Sequence, residues 1–165
     1  MKRPLWLFTL VLLACVGCDH ATKQAAAQWL GGAERVVLLG GVVQLELVAN
    51  PGAFLSLGAG LPETLRQLVL IGFVPLLLAG AGSLLLRAKA VSRTQALAFG
   101  LLVGGGLGNW LERIGGDGSV TDFVSLGLGP LRTGIFNLAD VAIVAALLLF
   151  FLAGASRKTD AVQGR

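Results

Sequence analysis

Two aspartates in the last third of this chain are the residue type that acid–base chemistry needs. Asp122 follows Val120-Thr121, and Asp140 ends the segment Phe136-Asn137-Leu138-Ala139-Asp140 just before an apolar run. An ionisable group at the end of a lipid-facing segment is expensive and is by default a functional hypothesis. If the fold brings both carboxyl groups together, one is left protonated and the other charged, as general acid–base catalysis requires. The structural alternative is a helix start for Asp140 and a turn for Asp122.

The elements that must position these residues are membrane helices. Of the 165 residues, 55% are hydrophobic and 13% are charged, with a mean hydropathy of +0.82. A soluble domain has roughly a quarter of its residues charged. We therefore predict an all-α polytopic membrane protein, a single membrane-embedded domain over residues 1–165. Four transmembrane helices are expected at about 4–29, 65–86, 94–112 and 135–153, with Asp122 in the loop that leads to the last one.

The N-terminal residues of the first predicted helix have a second possible interpretation. Lys2-Arg3 and the apolar run to Cys15 also resemble a secretory or lipoprotein signal peptide. Because three more apolar runs follow and good helix formers continue to Trp29, we favour a first span.

Residues at about 31–62 then change pattern, and Gln44 and Glu46 alternate with apolar neighbours. This predicts a small extracytoplasmic β element between helices 1 and 2, with a hypothetical role in capping a groove.

The basic residues indicate topology. A net charge of +4 and a pI near 9.7 could suggest nucleic acid, but the charges stand at the ends of apolar runs and form no patch, so no nucleic-acid partner is expected. Eight of the thirteen basic residues fall on one side of the predicted membrane: Lys2, Arg3, Arg87, Lys89, Arg93, Arg157, Lys158 and Arg165. By the positive-inside rule both termini are then cytoplasmic and both aspartates lie at the outer face.

Several polar residues inside the helices have a partner or a shared face. Asp19 and Lys23 are four residues apart in the order that favours an ion pair, and Gly105, Asn109 and Arg113 share one helix face. A nucleotide-binding loop is excluded at these glycines because no strand precedes them. Cys15 and Cys18 lack a second cysteine pair or a histidine cluster, so we expect neither a metal nor a redox cofactor.

Five segments in this order resemble the bacterial lipoprotein signal peptidase (signal peptidase II) family of membrane aspartic peptidases. They are Asp19-His20-Ala21-Thr22-Lys23, Asn50-Pro51-Gly52-Ala53-Phe54, Gly105 to Arg113, Val120 to Phe123, and Phe136 to Asp140. The resemblance implies a catalytic dyad of Asp122 and Asp140. It implies substrate-binding roles for Asn50, Gly52, Asn109, Arg113 and Asn137, and structural roles for Asp19, Lys23 and Glu112.

Two positions depart from the family's usual pattern. His20 stands where the family usually has Gln, and Glu112 where it usually has Asp. We expect His20 to have a plain hydrogen-bonding role, since nothing near it in sequence completes a triad. Glu112 directly precedes Arg113 and cannot share its helix face well.

The resemblance implies cleavage of a prolipoprotein before its diacylglyceryl-modified cysteine, at the outer face of the bacterial cytoplasmic membrane. One aspartate takes a proton from water while the other assists the carbonyl oxygen. No cofactor is expected, and membrane lipids are the other expected partner. Two alternatives stay open: a proton or cation carrier that uses the same acids, and an inactive homologue that acts as a membrane scaffold.

Overall fold

The computed structural model describes residues 3–32 and 35–163, with side chains described as far as Ala153. Its helices are α1 Leu5–Leu30, α2 Glu63–Gln67, α3 Val74–Arg87, α4 Arg93–Gly115 and α5 Leu138–Gln163. A π-helical segment, Leu68–Phe73, joins α2 to α3 without a break. The strands are β1 Val36–Leu38, β2 Val43–Asn50, β3 Val120–Leu128 and β4 Leu131–Arg132.

Two helices of the described chain are long and apolar enough to cross a membrane, Leu5–Leu30 and Glu63–Arg87, and Leu138–Ala153 is a shorter apolar helix. Four transmembrane helices therefore stay a prediction. Of the basic residues behind the predicted topology, Lys2 and Arg165 lie outside the described residues, as do the side chains of Arg157 and Lys158.

Small residues let neighbouring helices approach the backbone of α4. Gly100, Gly104 and Gly108 recur every four residues and so share one face, which contacts α1. A Cβ on Gly104 would lie 2.8 Å from the Cβ of Cys15, and one on Gly108 would lie 2.9 Å from Oδ2 of Asp19. Close approach of this kind is what small-residue repeats allow between membrane helices. It brings Asp19 against the C-terminal half of α4.

The next two glycines of α4 face its other neighbours. A Cβ on Gly105 would lie 2.6 Å from the carbonyl oxygen of Ala139 at the start of α5. A Cβ on Gly106 would lie 2.6 Å from the side chain of Leu78 on α3. Helix α4 is thus packed between α1, α3 and α5. Of the predicted site residues, it carries Asn109, Glu112 and Arg113.

The π-helical segment lies just before a proline. Pro75 has no N–H to donate to the carbonyl of Ile71 four residues earlier, which disturbs the regular helix. The indole Nε1 of Trp110 donates to that freed carbonyl at 3.0 Å. This bond fastens α4 to the helix formed by Glu63–Arg87.

The strands form one antiparallel sheet in the order β1-β2-β3-β4. Val43 lies opposite Leu126 and Val48 opposite Asp122, with a register shift between Leu45 and Val48. The predicted β element between the first two helices is present as β1 and β2. The all-α class is not confirmed, because β3 and β4 complete a four-stranded sheet.

The loop position predicted for Asp122 is wrong, since this residue lies on β3. Pairing with a strand some seventy positions earlier in the chain decides the conformation of this segment, and such pairing overrides local preference.

Candidate active site

The two aspartates meet where the helices join the sheet. Asp140 lies in the first turn of α5 and Asp122 on β3, and both are almost completely buried. One residue binds both: Asn137 Nδ2 donates to Asp122 Oδ1 at 2.6 Å, while the backbone N–H of Asp140 donates to Asn137 Oδ1 at 3.0 Å. The backbone N–H of Asn137 makes a longer 3.4 Å contact with Asp140 Oδ2.

Asn137 and Asp140 therefore form a capping box at the start of α5. The predicted position of Asp140 at a helix start is confirmed, and the same box ties Asp140 to Asp122. Helix capping fixes the orientation of one carboxyl group relative to the other.

Both oxygens of Asp122 accept hydrogen bonds from amide groups. Oδ1 accepts from Asn137 and Oδ2 accepts from Asn50 Nδ2 at 2.8 Å. Burial raises the pKa of Asp122 from 3.8 to about 6; the hydrogen bond from Asn50 opposes this rise and the nearby charge of Asp140 adds to it. Burial thus makes the Asp122 carboxyl easier to protonate than an exposed aspartate, because its pKa is raised.

Asp140 is held from the side of α4 by Asn109. Asn109 Nδ2 donates to Asp140 Oδ1 at 3.0 Å, and its Oδ1 accepts from Lys23 Nζ at 2.7 Å and from Asn137 Nδ2 at 3.1 Å. Because an ammonium group only donates, Lys23 fixes which end of the Asn109 amide is the oxygen. The other end, the donor, then has to face Asp140.

Lys23 lies between two further acids. Its Nζ is 2.8 Å from Asp19 Oδ2 and 2.8 Å from Glu112 Oε2. Asp19 Oδ1 accepts from the backbone N–H of Ala139 at 2.9 Å, and Glu112 Oε1 accepts from the backbone N–H of Thr121 at 3.0 Å. Ala139 precedes Asp140 and Thr121 precedes Asp122. We call Asp19, Lys23 and Glu112 the ion-pair brace, because each acid holds the residue just before one of the aspartates.

The turn after β2 covers the site from the other side. Gly52 N–H donates to Asn50 Oδ1 at 2.8 Å, and Arg113 Nη2 donates to the Gly52 carbonyl at 2.5 Å. A Cβ on Gly52 would lie 2.8 Å from the carbonyl oxygen of Leu57, so only glycine fits there. Arg113 Nε is buried and has no hydrogen-bond partner among the described residues.

A cavity of about 190 Å³ opens beside Asp140. Its polar walls are Asp140, Asn109 and Arg113, and its apolar walls include Phe54 and Trp110. A larger cavity of about 670 Å³ lies between α1 and α4; Asp19, Lys23 and Glu112 line it, and Asp122 and Asp140 do not. The smaller cavity is the candidate active site because Asp140 lines it and Asn137 joins Asp140 to Asp122. No cluster of three or more His, Cys, Asp or Glu side chains suited to a metal occurs in the described part of the chain.

The structure brings together most of the residues that the sequence singled out. Asn50, Asn109 and Asn137 bind the aspartate carboxyl groups directly, whereas Gly52 and Arg113 act through the turn. His20 lies apart from them: its Nε2 is 2.8 Å from Nε2 of Gln24, and its predicted hydrogen-bonding role is confirmed.

Sequence reasoning missed three contributors. The backbone N–H groups of Thr121 and Ala139 anchor the ion-pair brace, and backbone donors leave no trace in residue type. The bond from Trp110 to Ile71 was also missed, although Pro75 four residues after Ile71 was a usable signal.

The chain is similar to several known proteins. The family model described as signal peptidase (SPase) II matches residues 11–155. A lipoprotein signal peptidase of Leifsonia xyli is 39% identical over 154 residues, which is 87% of this chain and 66% of that protein. One of Treponema denticola is 32% identical over 147 residues, 87% of this chain and 85% of that protein.

A solved structure, described as a bacterial membrane enzyme studied by the in meso method, has a TM-score of 0.84. It is 19% identical and covers 96% of this chain and 93% of its own. At that identity the likeness concerns the fold.

Proposed function

This chain belongs to the signal peptidase II family, and we propose that it removes signal peptides from lipid-modified prolipoproteins with Asp122 and Asp140 as its catalytic dyad. The observation that carries the proposal is the buried pair of carboxyl groups bound to one asparagine. Two acids in such a place cannot both ionise cheaply, and the pair then holds one proton between them.

The hydrogen bonds support an assignment of that proton. Asp122 accepts short bonds at both oxygens, which favours its ionised form. Asp140 accepts a good bond only at Oδ1, and its Oδ2 has only the 3.4 Å contact with the Asn137 backbone. We assign Asp122 as the general base and place the shared proton on Asp140 Oδ2; Asp140 is then uncharged and no longer adds to the pKa of Asp122.

The reaction follows from that assignment. Asp122 takes a proton from a water molecule, whose oxygen attacks the carbonyl carbon while Asp140 gives its proton to the carbonyl oxygen. The tetrahedral intermediate then breaks its C–N bond. The proton on Asp122 goes to the leaving amine, and the hydroxyl proton returns to Asp140. Both carboxyl groups end as they began, and one water is consumed.

In this proposal Asn50 and Arg113 position the site, and Arg113 and the cavity walls bind the substrate. Asn50 has its amide engaged by Asp122, Ala53 and Gly52, so it orients the base. Arg113 holds the covering turn through Gly52, and its unpartnered Nε is a donor for a polar group of the substrate. The apolar walls of the small cavity accept an apolar part of the substrate beside Asp140.

The proposed placement in the cell follows the charge pattern. The chain spans the bacterial cytoplasmic membrane four times, with both termini cytoplasmic and the dyad at the outer face. The lipid-anchored cysteine of a prolipoprotein then meets the dyad at the membrane surface.

The test is cleavage of a lipid-modified prolipoprotein by purified protein in detergent. Asp122→Asn and Asp140→Asn each lower kcat roughly 10²- to 10⁴-fold, the usual contribution of a general acid or base. Asp117→Asn is the matched control, since Asp117 is exposed and, within the described ranges, accepts only from Ser119 N–H. Melting temperatures establish that each variant is folded. Wild-type cleavage by either folded dyad variant rejects the assignment.

A further inference from the structure

The indole ring of Trp110 forms one wall of the small cavity and is held in place by the facing helix. Its Nε1 donates to the carbonyl oxygen of Ile71 at 3.0 Å. That carbonyl lacks its usual helical donor because Pro75 has no N–H. Leu70 and Val74, which flank Ile71 on the same helix, line the cavity as well. The ring therefore cannot swing out of the wall without breaking its hydrogen bond.

The space in front of the indole ring is left by a glycine. Gly106 lies four residues before Trp110, so both face the same side of α4, and both line the small cavity. Leu78 closes the wall at Gly106, because a Cβ there would lie 2.6 Å from the Leu78 side chain. The cavity has a volume of about 190 Å³, and an apolar cavity of about 150 Å³ holds one benzene ring. It therefore has room for one side chain of moderate size.

The proposed reaction decides which part of the substrate enters this cavity. Asp140 gives its proton to the carbonyl oxygen of the scissile bond, so this oxygen comes within about 3 Å of the Asp140 carboxyl group. The side chain of the residue that supplies this carbonyl branches from the adjoining carbon atom. Since Asp140 and Trp110 line the same cavity, that side chain lies between them. It belongs to the residue before the lipid-modified cysteine.

We propose that Trp110 is a specificity-determining residue, whose fixed indole ring limits the size of the side chain that precedes the lipid-modified cysteine. Its role rests on the proposed function, because the dyad places the scissile carbonyl. A side chain that is too large has two outcomes: it displaces the indole ring from Ile71, or it draws the carbonyl away from Asp140. Both destabilise the transition state and so lower kcat/KM.

The acyl chains of the substrate are the other apolar groups that approach this site. They are attached through the side chain of the cysteine, on the leaving-amine side of the scissile bond. They therefore start several bonds further from the carbonyl oxygen that Asp140 meets. The side chain before the cysteine is the nearer occupant of the small cavity.

The experiment measures cleavage of synthetic diacylglyceryl-cysteine peptides by purified protein in detergent. The peptides differ only in the residue before the cysteine, which is alanine or tryptophan. The variants are Trp110→Ala, which enlarges the cavity, and Trp110→Phe, which keeps a ring but removes the bond to Ile71. Trp29→Ala is the matched control, since Trp29 is 81% exposed and lines neither of the two cavities. Melting temperatures establish that each variant is folded.

We expect the ratio of kcat/KM for the tryptophan peptide to that for the alanine peptide to rise at least about tenfold in Trp110→Ala, the usual scale for a change of pocket size. Trp110→Phe gives a smaller rise, because its ring is free to move aside, and Trp29→Ala leaves the ratio unchanged. If Trp110→Ala does not fold, Trp110→Phe decides. An unchanged ratio in the folded Trp110 variants overturns the proposal. A changed preference for acyl-chain length at an unchanged ratio also overturns it and assigns the cavity to lipid.

The role of Trp110 and the dyad assignment fail in different ways. Asp140→Asn lowers kcat for both peptides together, so cleavage at the wild-type rate by that variant rejects the dyad. The Trp110 variants keep both aspartates, and only the ratio between the two peptides tests the wall of the cavity.

Discussion

Three asparagine side chains donate hydrogen bonds to the carboxyl groups of the two aspartates. Asn50 and Asn137 each give an N–H to Asp122, while Asn109 and the Asn137 backbone face Asp140. An amide group offers a donor and an acceptor on one rigid plane, so it can serve a carboxylate without adding charge. The two acids thus differ in hydrogen bonding although they are alike in sequence.

A pH dependence follows from Asp122. If the ionised form is the base, kcat/KM falls as the pH drops towards the pKa of Asp122, which burial raises above 3.8 and which stays below about 6 while Asp140 is protonated. The profile between pH 4.5 and 8 measures this limb. Asp117→Asn leaves it in place. A profile that stays flat down to pH 4.5 contradicts the assignment of Asp122 as the base.

The raised pKa of Asp122 also makes the stability of the fold depend on pH, and stability changes with pH in the opposite direction to kcat/KM. The pKa of Asp122 is higher in the folded state than its usual 3.8, so between about pH 4 and 6 the folded state binds more protons than the unfolded state. The contribution of Asp122 to stability is therefore present below that window and is lost as the pH rises through it. Asp122→Asn flattens this part of the melting temperature's pH dependence.

Among the elements, the contact between α4 and α5 sets the position of Asp140. Gly105 faces the carbonyl oxygen of Ala139, the residue before Asp140, at a distance that leaves no room for a methyl group. Backbone lines both sides of this contact, so no side chain can give way. The helices themselves have to separate if the glycine is replaced.

Gly105→Ala is therefore expected to lower kcat about 10- to 100-fold, since a displacement near 1 Å has effects of that size. The matched control is Gly80→Ala on α3, where a Cβ meets nothing within 4 Å. There alanine improves helix propensity by up to about 1 kcal/mol. Kinetics and melting of both variants test this, and a Gly105→Ala enzyme with normal kcat contradicts it.

At the scale of the whole molecule, the helices were easier to predict than the sheet. Long apolar runs such as Val74 to Leu86 predict helices, because backbone groups in lipid must form hydrogen bonds within their own segment. The glycine-rich sequence before Phe136 predicts a loop around Asp122, whereas strand β3 forms there because it pairs with β2, and that pairing depends on contacts far away in sequence.

The candidate site also has one part that the sequence predicts and another that depends on the assembled fold. The two aspartates and three asparagines could be found from residue type and from the order of the segments. The links of the ion-pair brace to Thr121 and Ala139 could not, because any residue provides a backbone N–H. Which acid reaches which strand or helix is decided only when α1, α4, α5 and β3 are assembled.

The ion-pair brace joins these four elements, and Glu112 offers the sharpest test of it. Glu112→Ala removes the acceptor of Thr121 N–H and one of the two acids paired with Lys23. Because Thr121 precedes Asp122 on β3, the base moves, and kcat falls about 10- to 100-fold with little change in KM. Glu112→Gln keeps an acceptor for Thr121 and recovers part of the loss. Glu63→Ala is the matched control, since Glu63 is exposed and its bond to Gln67 contributes only about 0.2–0.5 kcal/mol. A rise in KM with unchanged kcat would instead make Glu112 a substrate contact, and wild-type kinetics would remove it from the positioning of the dyad.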